Sequence, residues 1–359
     1  MVEVSWFSAL CDDDYEFLGV PDEALQSSFE HCRNIVLTAE KHGFDNVLLP
    51  SGYQLGIDNT TFAAGMAPLL RRIRMLLAIR CGEVVVPQLA RQIASLDHMV
   101  DGRLTINIIS SDVPGETMES EPRYRRSTEI MHVLRSLLNG ESVDYHGDYV
   151  NLSIDPPRMR TVTGRSPLFY FGGLSTAARD CAAAAADVFL MWPDTTEKVV
   201  EVMADMNTRA EGFGRGLRYG WRSHVVVRET EAEARAAASR LLSRLDVETG
   251  KEIRQRSLDS ASAGVARQAA LRESADNDGY VERHLWTGVG RARSGAGAAI
   301  VGDPDQVLAK INELRDVGVE AFILSGYPHQ AECDLFARHV LPRIEGRGPL
   351  EFEPFPVTV

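Results

Sequence analysis

The chain has 359 residues, a formal net charge of −13 and a charged fraction of 25%. Hydrophobic residues make up 44%, the proportion of an ordinary globular chain, which excludes a disordered protein and leaves ample material for a core. An acidic surface repels phosphate backbones, so a nucleic acid is not an expected partner.

The length allows two domains or one barrel with insertions. The five cysteines are scattered and form no CxxC pair, which argues against a metal site or a disulfide framework and for reduced thiols in a cytoplasmic protein. The segment MVEVSWFSALCDDDYEF has no basic run, so no signal peptide is expected. The alanine run 182–186 is far shorter than the ~20 apolar residues of a membrane span.

Short apolar runs alternate with helical patterns along the chain. Val2–Phe7 reads as a strand and Glu23–His42 as an amphipathic helix stopped by Gly43. Asn46–Leu49 is a second strand, Thr60–Leu70 a helix and Arg74–Ile79 a third strand. Pro87–Val100 is a helix with proline in its first turn, followed by strand Leu104–Ile109. Helix Pro122–Leu138, strand Leu168–Phe171, helix Thr176–Ala186, strand Val188–Met191 and helix Glu197–Gly212 continue the rhythm. Trp221–Val227 is the seventh strand, with helix Glu231–Leu245 after it. Helix Asp303–Val317, strand Ala321–Leu324 and helix Glu332–Ile344 complete the order.

Eight strands that are apolar throughout point to a parallel sheet covered on both faces. Eight βα units predict a (β/α)₈ barrel, for which ~250 residues is typical. The surplus of about 100 residues falls into insertions after the fourth and seventh units. The first, 140–165, contains a hairpin-like VDYHGDYVNL; the second, 246–298, is polar and ends in a small, glycine-rich, basic stretch. A loop of this length without a pattern of its own is functional or disordered. The expected organisation is one barrel domain over 1–345 with a short tail, 346–359.

Chemistry in such a barrel sits where strands end. Asn107, Ser110 and Ser111 close the fourth strand, where hydroxyls could meet a ligand or simply cap a turn. Gly172, Gly173 and Ser175 lie between the fifth strand and a helix, a turn that allows close backbone approach and favours phosphate. No Walker or dinucleotide fingerprint is present. Alternation places Arg222 and His224 on one face of the seventh strand, where two such groups need a partner or a ligand. Tyr327 and His329 occupy a tight turn after the last strand. The acidic run Asp12–Asp14 reads as a solvated loop. These residues alone reach a cationic pocket, not a reaction.

The segments ARQIASLDHMVDGRLTINIISS, PLFYFGGLS, HVVVRET, LWTGVGRARSGAGAAIVGD and FILSGYPH, in this order, resemble the bacterial luciferase-like flavin monooxygenases. Among them the chain is most similar to the two-component alkanesulfonate monooxygenases. The resemblance implies a (β/α)₈ barrel and reduced FMN delivered by a separate NAD(P)H:FMN reductase. It implies O₂ as co-substrate and cleavage of a C–S bond to sulfite and an aldehyde. It also implies a cytoplasmic homodimer or homotetramer acting on a small organosulfonate, without membrane or nucleic acid. By the same resemblance Arg222, His224, Tyr327 and Arg293 are catalytic, with Arg293 on a mobile loop. Trp192, His329, Arg293, Gln54 and Cys11 would meet substrate. Asn107, Ser110, Ser111, Tyr124, Gly172, Gly173 and Ser175 would hold flavin, and no metal is implied. A sulfone, an alkane or a nitrogen heterocycle is the alternative substrate; a non-catalytic flavin-binding barrel is a further one.

Two departures from that family stand out. A cysteine common after its second strand is missing from Ser51–Asp58, and the histidine expected after the first strand falls at Cys11 or Asp12. Gln54, Asp12 and Asp58 add polar groups that an alkyl chain cannot use. A sulfosugar such as sulfoquinovose could hydrogen-bond to them. The 246–298 insertion is the expected lid, with Gly295 and Gly297 as hinges.

Overall fold

The computed structural model describes residues 1–54, 56–255 and 262–351. Eight parallel strands close a barrel: β1 (Glu3–Phe7), β2 (Asn46–Leu49), β3 (Arg74–Arg80), β4 (Leu104–Ile109), β5 (Phe169–Phe171), β6 (Val188–Met191), β7 (Arg218–Val227) and β8 (Ala321–Ser325). Neighbours pair in chain order, and β8 closes the ring by pairing with both β7 and β1. The helices between strands are α1 (Phe29–His42), α2 (Asn59–Met66), α3 (Val86–Met99), α4 (Ser120–Asn139), α5 (Thr176–Ala185), α6 (Thr196–Gly212) and α7 (Glu231–Leu242).

Period-two alternation divides the core in two. Val4, Trp6, Met75, Phe169 and Phe322 pack outward beneath the helices. Phe7, Leu48, Leu76, Tyr170, Leu190 and Ile323 fill the barrel interior. The strands read as apolar runs because both faces are covered, as expected.

Helix boundaries follow capping chemistry. The single helix expected over 23–42 is a 3₁₀ turn, Glu23–Leu25, and a separate α1. Ser28 accepts from the His31 N–H and starts α1, and Gly43, at φ +75°, ends it.

Both insertions follow the units expected. The first contains the hairpin Val143–His146 with Asn151–Ile154. The second contains α8 (Val247–Gln255), α9 (Ala263–Glu273) and short strands, and directly after it comes a strand the sequence reading missed, Ala299–Gly302. That strand runs parallel to β7, from Ala299 opposite His224 to Gly302 opposite Val227. It leads into α10 (Pro304–Asp316), before β8 and α11 (His329–His339). Residues 256–261 of the expected lid lie outside the described residues.

Of the expected tail 346–359, residues 352–359 lie outside the described residues, and the rest is tied to the floor of the barrel. Gly348 N–H donates to Val2 O at 3.0 Å, and Leu350 N–H donates to Glu3 Oε2 at 3.2 Å. Glu3 is fully buried and also accepts from Tyr170 Oη at 2.8 Å and Asn46 Nδ2 at 3.3 Å. Burial raises its pKa against these donors.

Tyr170→Phe removes the shortest of these bonds and leaves a buried carboxyl one donor short. The expected cost is ~1–3 kcal/mol of folding stability, read as a lower urea midpoint with an unchanged m-value. An unchanged midpoint would show that the floor does not depend on this bond.

Candidate active site

Inward-facing residues of six of the eight strands line one cavity of about 370 Å³ in the C-terminal mouth of the barrel. Phe7 (β1), Leu48 (β2), Arg80 (β3), Asn107 and Ile109 (β4), Leu190 (β6) and Arg222 (β7) line it. Cys11, Gln54, Trp192 and Tyr327 reach it from the loops after β1, β2, β6 and β8, and residues 292–296 cover it. The structure therefore gathers Asn107, Arg222, Arg293, Tyr327, Trp192, Gln54 and Cys11 in one place.

Arg222 is the cation at its base. It is 4% exposed and lies over the Phe7 ring, 4.6 Å from guanidinium carbon to centroid. It donates to Ser325 Oγ at 2.8 Å and to the Ser223 carbonyl. Among the described residues no carboxylate pairs with it. Burial, then repulsion from Arg293, lowers its pKa, though a guanidinium remains charged at neutral pH. A cation held this way favours an anionic ligand.

His224 shares the Arg222 face of β7, as alternation requires, but does not line the cavity. Ser325 Oγ lies 2.8 Å from its Nδ1, and Nε2 lies 3.2 Å from the Ala296 carbonyl. A carbonyl only accepts, so Nε2 carries the proton and Nδ1 accepts from Ser325. The chain Arg222 to Ser325 to His224 is thus fixed in direction. Burial, Arg222 and Arg293 hold the His224 pKa well below its ordinary value. Its ring stacks on Tyr327 at 5.1 Å and 22°.

Arg293 reaches across from the covering segment. Its Nη1 donates to Asp13 Oδ2 at 2.6 Å and to Tyr327 Oη at 2.8 Å. Burial opposes its charge, but Tyr327 and Asp13 outweigh burial and raise its pKa. Burial likewise raises the Tyr327 pKa against the opposing field of Arg293, so the phenol stays protonated. Its oxygen accepts from Arg293, and its own proton has no acceptor among the described residues.

His329 is not a cavity residue. It is fully buried behind Tyr327, with Nδ1 and its backbone N–H each 2.9 Å from Asp14 Oδ1. His31 Nε2 lies 2.9 Å from the other oxygen. Burial works against the Asp14 charge, but His329 and His31 overcome it and hold the carboxyl well below the usual range. The acidic run is therefore structural machinery rather than a solvated loop. Asp12 (φ +48°) accepts from Ser27 N–H at 2.8 Å and Gly56 N–H at 3.1 Å, one donor on each oxygen, which fixes its carboxylate at the cavity wall. Asp58 caps α2. Of the three polar groups expected at the substrate mouth, Gln54 and Asp12 line the cavity and Asp58 does not.

The residues read as flavin contacts form a second cluster beside the cavity. Ser127 Oγ donates to Ser110 Oγ at 2.7 Å, and the Ser111 hydroxyl turns to the Asp112 carbonyl at 3.5 Å. A side-chain carbon added at Gly172 would fall 2.3 Å from Leu190 O; one at Gly173 would fall 2.6 Å from Ala178 Cβ and 3.5 Å from Tyr124 Oη. Ser175 caps α5 by accepting from Ala178 N–H at 3.2 Å. The buried Nε atoms of Arg123 and Arg126 have no partner among the described residues. Both guanidiniums are ion-paired, Arg123 to Asp112 and Arg126 to Glu116, each at 2.9 Å. A cavity with apolar walls and a base cation, next to a glycine turn that admits close backbone approach, fits a flavin.

Most of the insertion is fixed rather than mobile. Arg267 on α9 grips Asp194 with two 2.6 Å bonds. Buried Gln268 donates to Pro193 O at 2.7 Å and accepts from Gly297 N–H at 3.0 Å. Gly290 N–H donates to Gly297 O at 2.7 Å, and a Cβ at Gly297 would fall 3.0 Å from Gly290 Cα. Gly297 is thus a close crossing, not a hinge, whereas Gly295 at φ +91° adopts a turn that glycine favours. Ser325, Asp13, Asp14, Arg80 and Gln268 are site or support residues that sequence reasoning missed. Ser325, directly before the Gly-Tyr-Pro-His turn, was the nearest to being seen.

A profile of the luciferase-like monooxygenases matches residues 17–321. The chain is 64% identical over 355 residues to the sulfoquinovose monooxygenase of Novosphingobium aromaticivorans, covering 97% of this chain and 98% of that one. It is 52% identical to the sulfoquinovose monooxygenase of Agrobacterium fabrum, covering 96% and 90%. Among solved structures, a long-chain alkane monooxygenase superposes with a TM-score of 0.77 at 16% identity, covering 98% and 93%. DmoA of Hyphomicrobium sulfonivorans gives 0.75 at 17%, covering 98% and 90%. Among the described residues no helix is long and apolar enough to cross a membrane.

Folded His224 is neutral, whereas in the unfolded chain it takes up a proton below its ordinary pKa of ~6.5. The unfolded state then binds more protons, so stability falls as pH falls, by up to ~1.4 kcal/mol per unit for this group. Denaturation from pH 8 to pH 5 should show this slope below pH 6.5, and His224→Gln should reduce it. An equal slope in both proteins would mean that His224 charges in the folded state.

Proposed function

The chain belongs to the luciferase-like monooxygenase family, and we propose that it cleaves the C–S bond of sulfoquinovose, releasing sulfite and leaving an aldehyde. The enzyme class, a flavin-dependent monooxygenase, follows from membership. The observation that carries the substrate is the 64% identity, over nearly the full length of both chains, to a sulfoquinovose monooxygenase. Reduced FMN, supplied by a separate NAD(P)H-dependent reductase, provides the electrons that activate O₂.

The residues of this chain bind, orient and exclude water. Arg222 takes the sulfonate, a permanent anion, with a rigid fork of donors. Ser325 and His224 hold that fork, and Phe7 supports its face. Tyr327 is the hydroxyl best placed to donate a proton to a bound oxyanion, since Arg293 already occupies its lone pair. His224, with both nitrogens engaged, positions Tyr327 and Arg222 and does not carry the proton. The segment 292–296 covers the cavity and keeps water from the reacting flavin. Gln54 and Tyr53, both in the cavity lining, offer partners for sugar hydroxyls.

With FMN, a reductase and O₂, sulfite release from sulfoquinovose should exceed that from octanesulfonate by at least ~10-fold in kcat/KM, worth about 1.4 kcal/mol. Arg222→Ala should lower kcat/KM for sulfoquinovose at least ~100-fold, about 2.7 kcal/mol. Preference for octanesulfonate, or full activity in the variant, would sink the assignment.

A further inference from the structure

The charges around the cavity do not count equally once their partners are drawn. Five charged side chains line it: Asp12, Asp13, Arg80, Arg222 and Arg293. Arg80 is paired with Glu83, Nε to Oε1 at 2.7 Å. Asp12 is held by two backbone N–H groups. Arg293 is paired with Asp13 at 2.6 Å across 280 positions of sequence. Arg222 is left, with neutral partners only. Of the other ionisable groups, the Cys11 thiol and the Tyr327 phenol at the wall and the adjacent His224 are uncharged at neutral pH, burial raising the first two and lowering the third.

Asp13 is built to stay where it is. The residues before it are fastened by the reciprocal bonds of Asp12 and Ser27, with Ser27 Oγ accepting from Asp12 N–H at 2.7 Å. The residue after it, Asp14, is clamped by His329 and His31. A carboxylate between two fixed neighbours is a preset counter-ion for the arginine that the covering segment brings down.

We propose that Asp13 sets the charge selectivity of the cavity: by neutralising Arg293 it leaves Arg222 as the single unmatched cation, so that a sugar carrying one negative charge is taken and its doubly charged counterpart is refused. The inference rests on the sulfosugar reading for its choice of ligand. A sulfonate carries one charge at every physiological pH, whereas a phosphate monoester carries nearly two above pH 7. A second charge in this cavity would lie desolvated beside Asp13 with no cation to balance it. Asp13 acts through Arg293, so it is a positioning residue.

The test is calorimetric titration of the full chain at pH 8 with sulfoquinovose and with glucose 6-phosphate, which share a sugar and differ in charge at C6. The wild-type protein should bind the sulfonate at least ~10-fold more tightly. Asp13→Asn frees Arg293 and should shift the ratio of the two Kd values at least ~10-fold toward the phosphate. Asp13→Glu keeps the charge and should restore the wild-type ratio. A merely structural role would weaken both ligands in proportion, and that result overturns the inference, as does Asp13→Glu behaving like Asp13→Asn. If Asp13→Asn does not fold, the wild-type preference and its retention in Asp13→Glu decide. If sulfoquinovose neither binds nor yields sulfite, the substrate reading fails. The glucose 6-phosphate affinity of Asp13→Asn against wild type still reads the charge rule alone.

Discussion

A guanidinium in the middle of a protein must be answered, and the burial of Arg222 organises this barrel mouth. Taking such a charge out of water costs several kcal/mol unless hydrogen bonds and an anion compensate. The protein supplies only the neutral part of that compensation: a serine hydroxyl, a backbone carbonyl and an aromatic face. The same serine donates to His224 Nδ1, and His224 Nε2 in turn donates to the Ala296 carbonyl of the covering segment, the bond that fixes the tautomer. One buried cation therefore fixes a histidine, a tyrosine stack and the seat of the lid, and keeps its own anion site open.

The lid is smaller than its stretch of sequence. The 246–298 insertion behaves as a platform, with α9 gripping the β6–α6 loop through Asp194 and Pro193. The same helix leaves room for Trp192: a Cβ at Gly264 would fall 2.8 Å from its ring. The segment that lines the cavity is the few residues between the Gly290–Gly297 crossing, from which Arg293 contacts Asp13 and Tyr327.

Much of this was legible in the sequence, for identifiable reasons. Strands buried on both faces announce themselves as apolar runs, and period-two alternation placed Arg222 and His224 together without any structure. The 299–302 strand was missed because its Ala-Ile-Val-Gly run follows a glycine-rich stretch that reads as loop. His329 was misplaced because a turn after a strand points either inward or back, and the deciding contact, Asp14, lies 315 positions away. The same distance hid Asp13: beside two other aspartates it looks like a solvated run, and its partner Arg293 shares no local pattern with it. Local periodicity reports which face a side chain occupies; it carries nothing about which loop comes to meet it.

The net charge of −13 and the cationic mouth are compatible because they act over different ranges. Surface carboxylates are screened within about 8 Å at physiological salt, so they set solubility and leave the interior field to its nearest neighbours. Inside, pairing decides. Arg80 and Arg293 are cancelled at contact distance, Asp12 is held in place by backbone N–H groups, and Arg222 has no carboxylate at contact distance among the described residues. A site that admits the proposed anionic sugar and keeps water out gains from this arrangement. The cation that closes the lid is neutralised by the protein, so the attraction left over acts on the ligand alone.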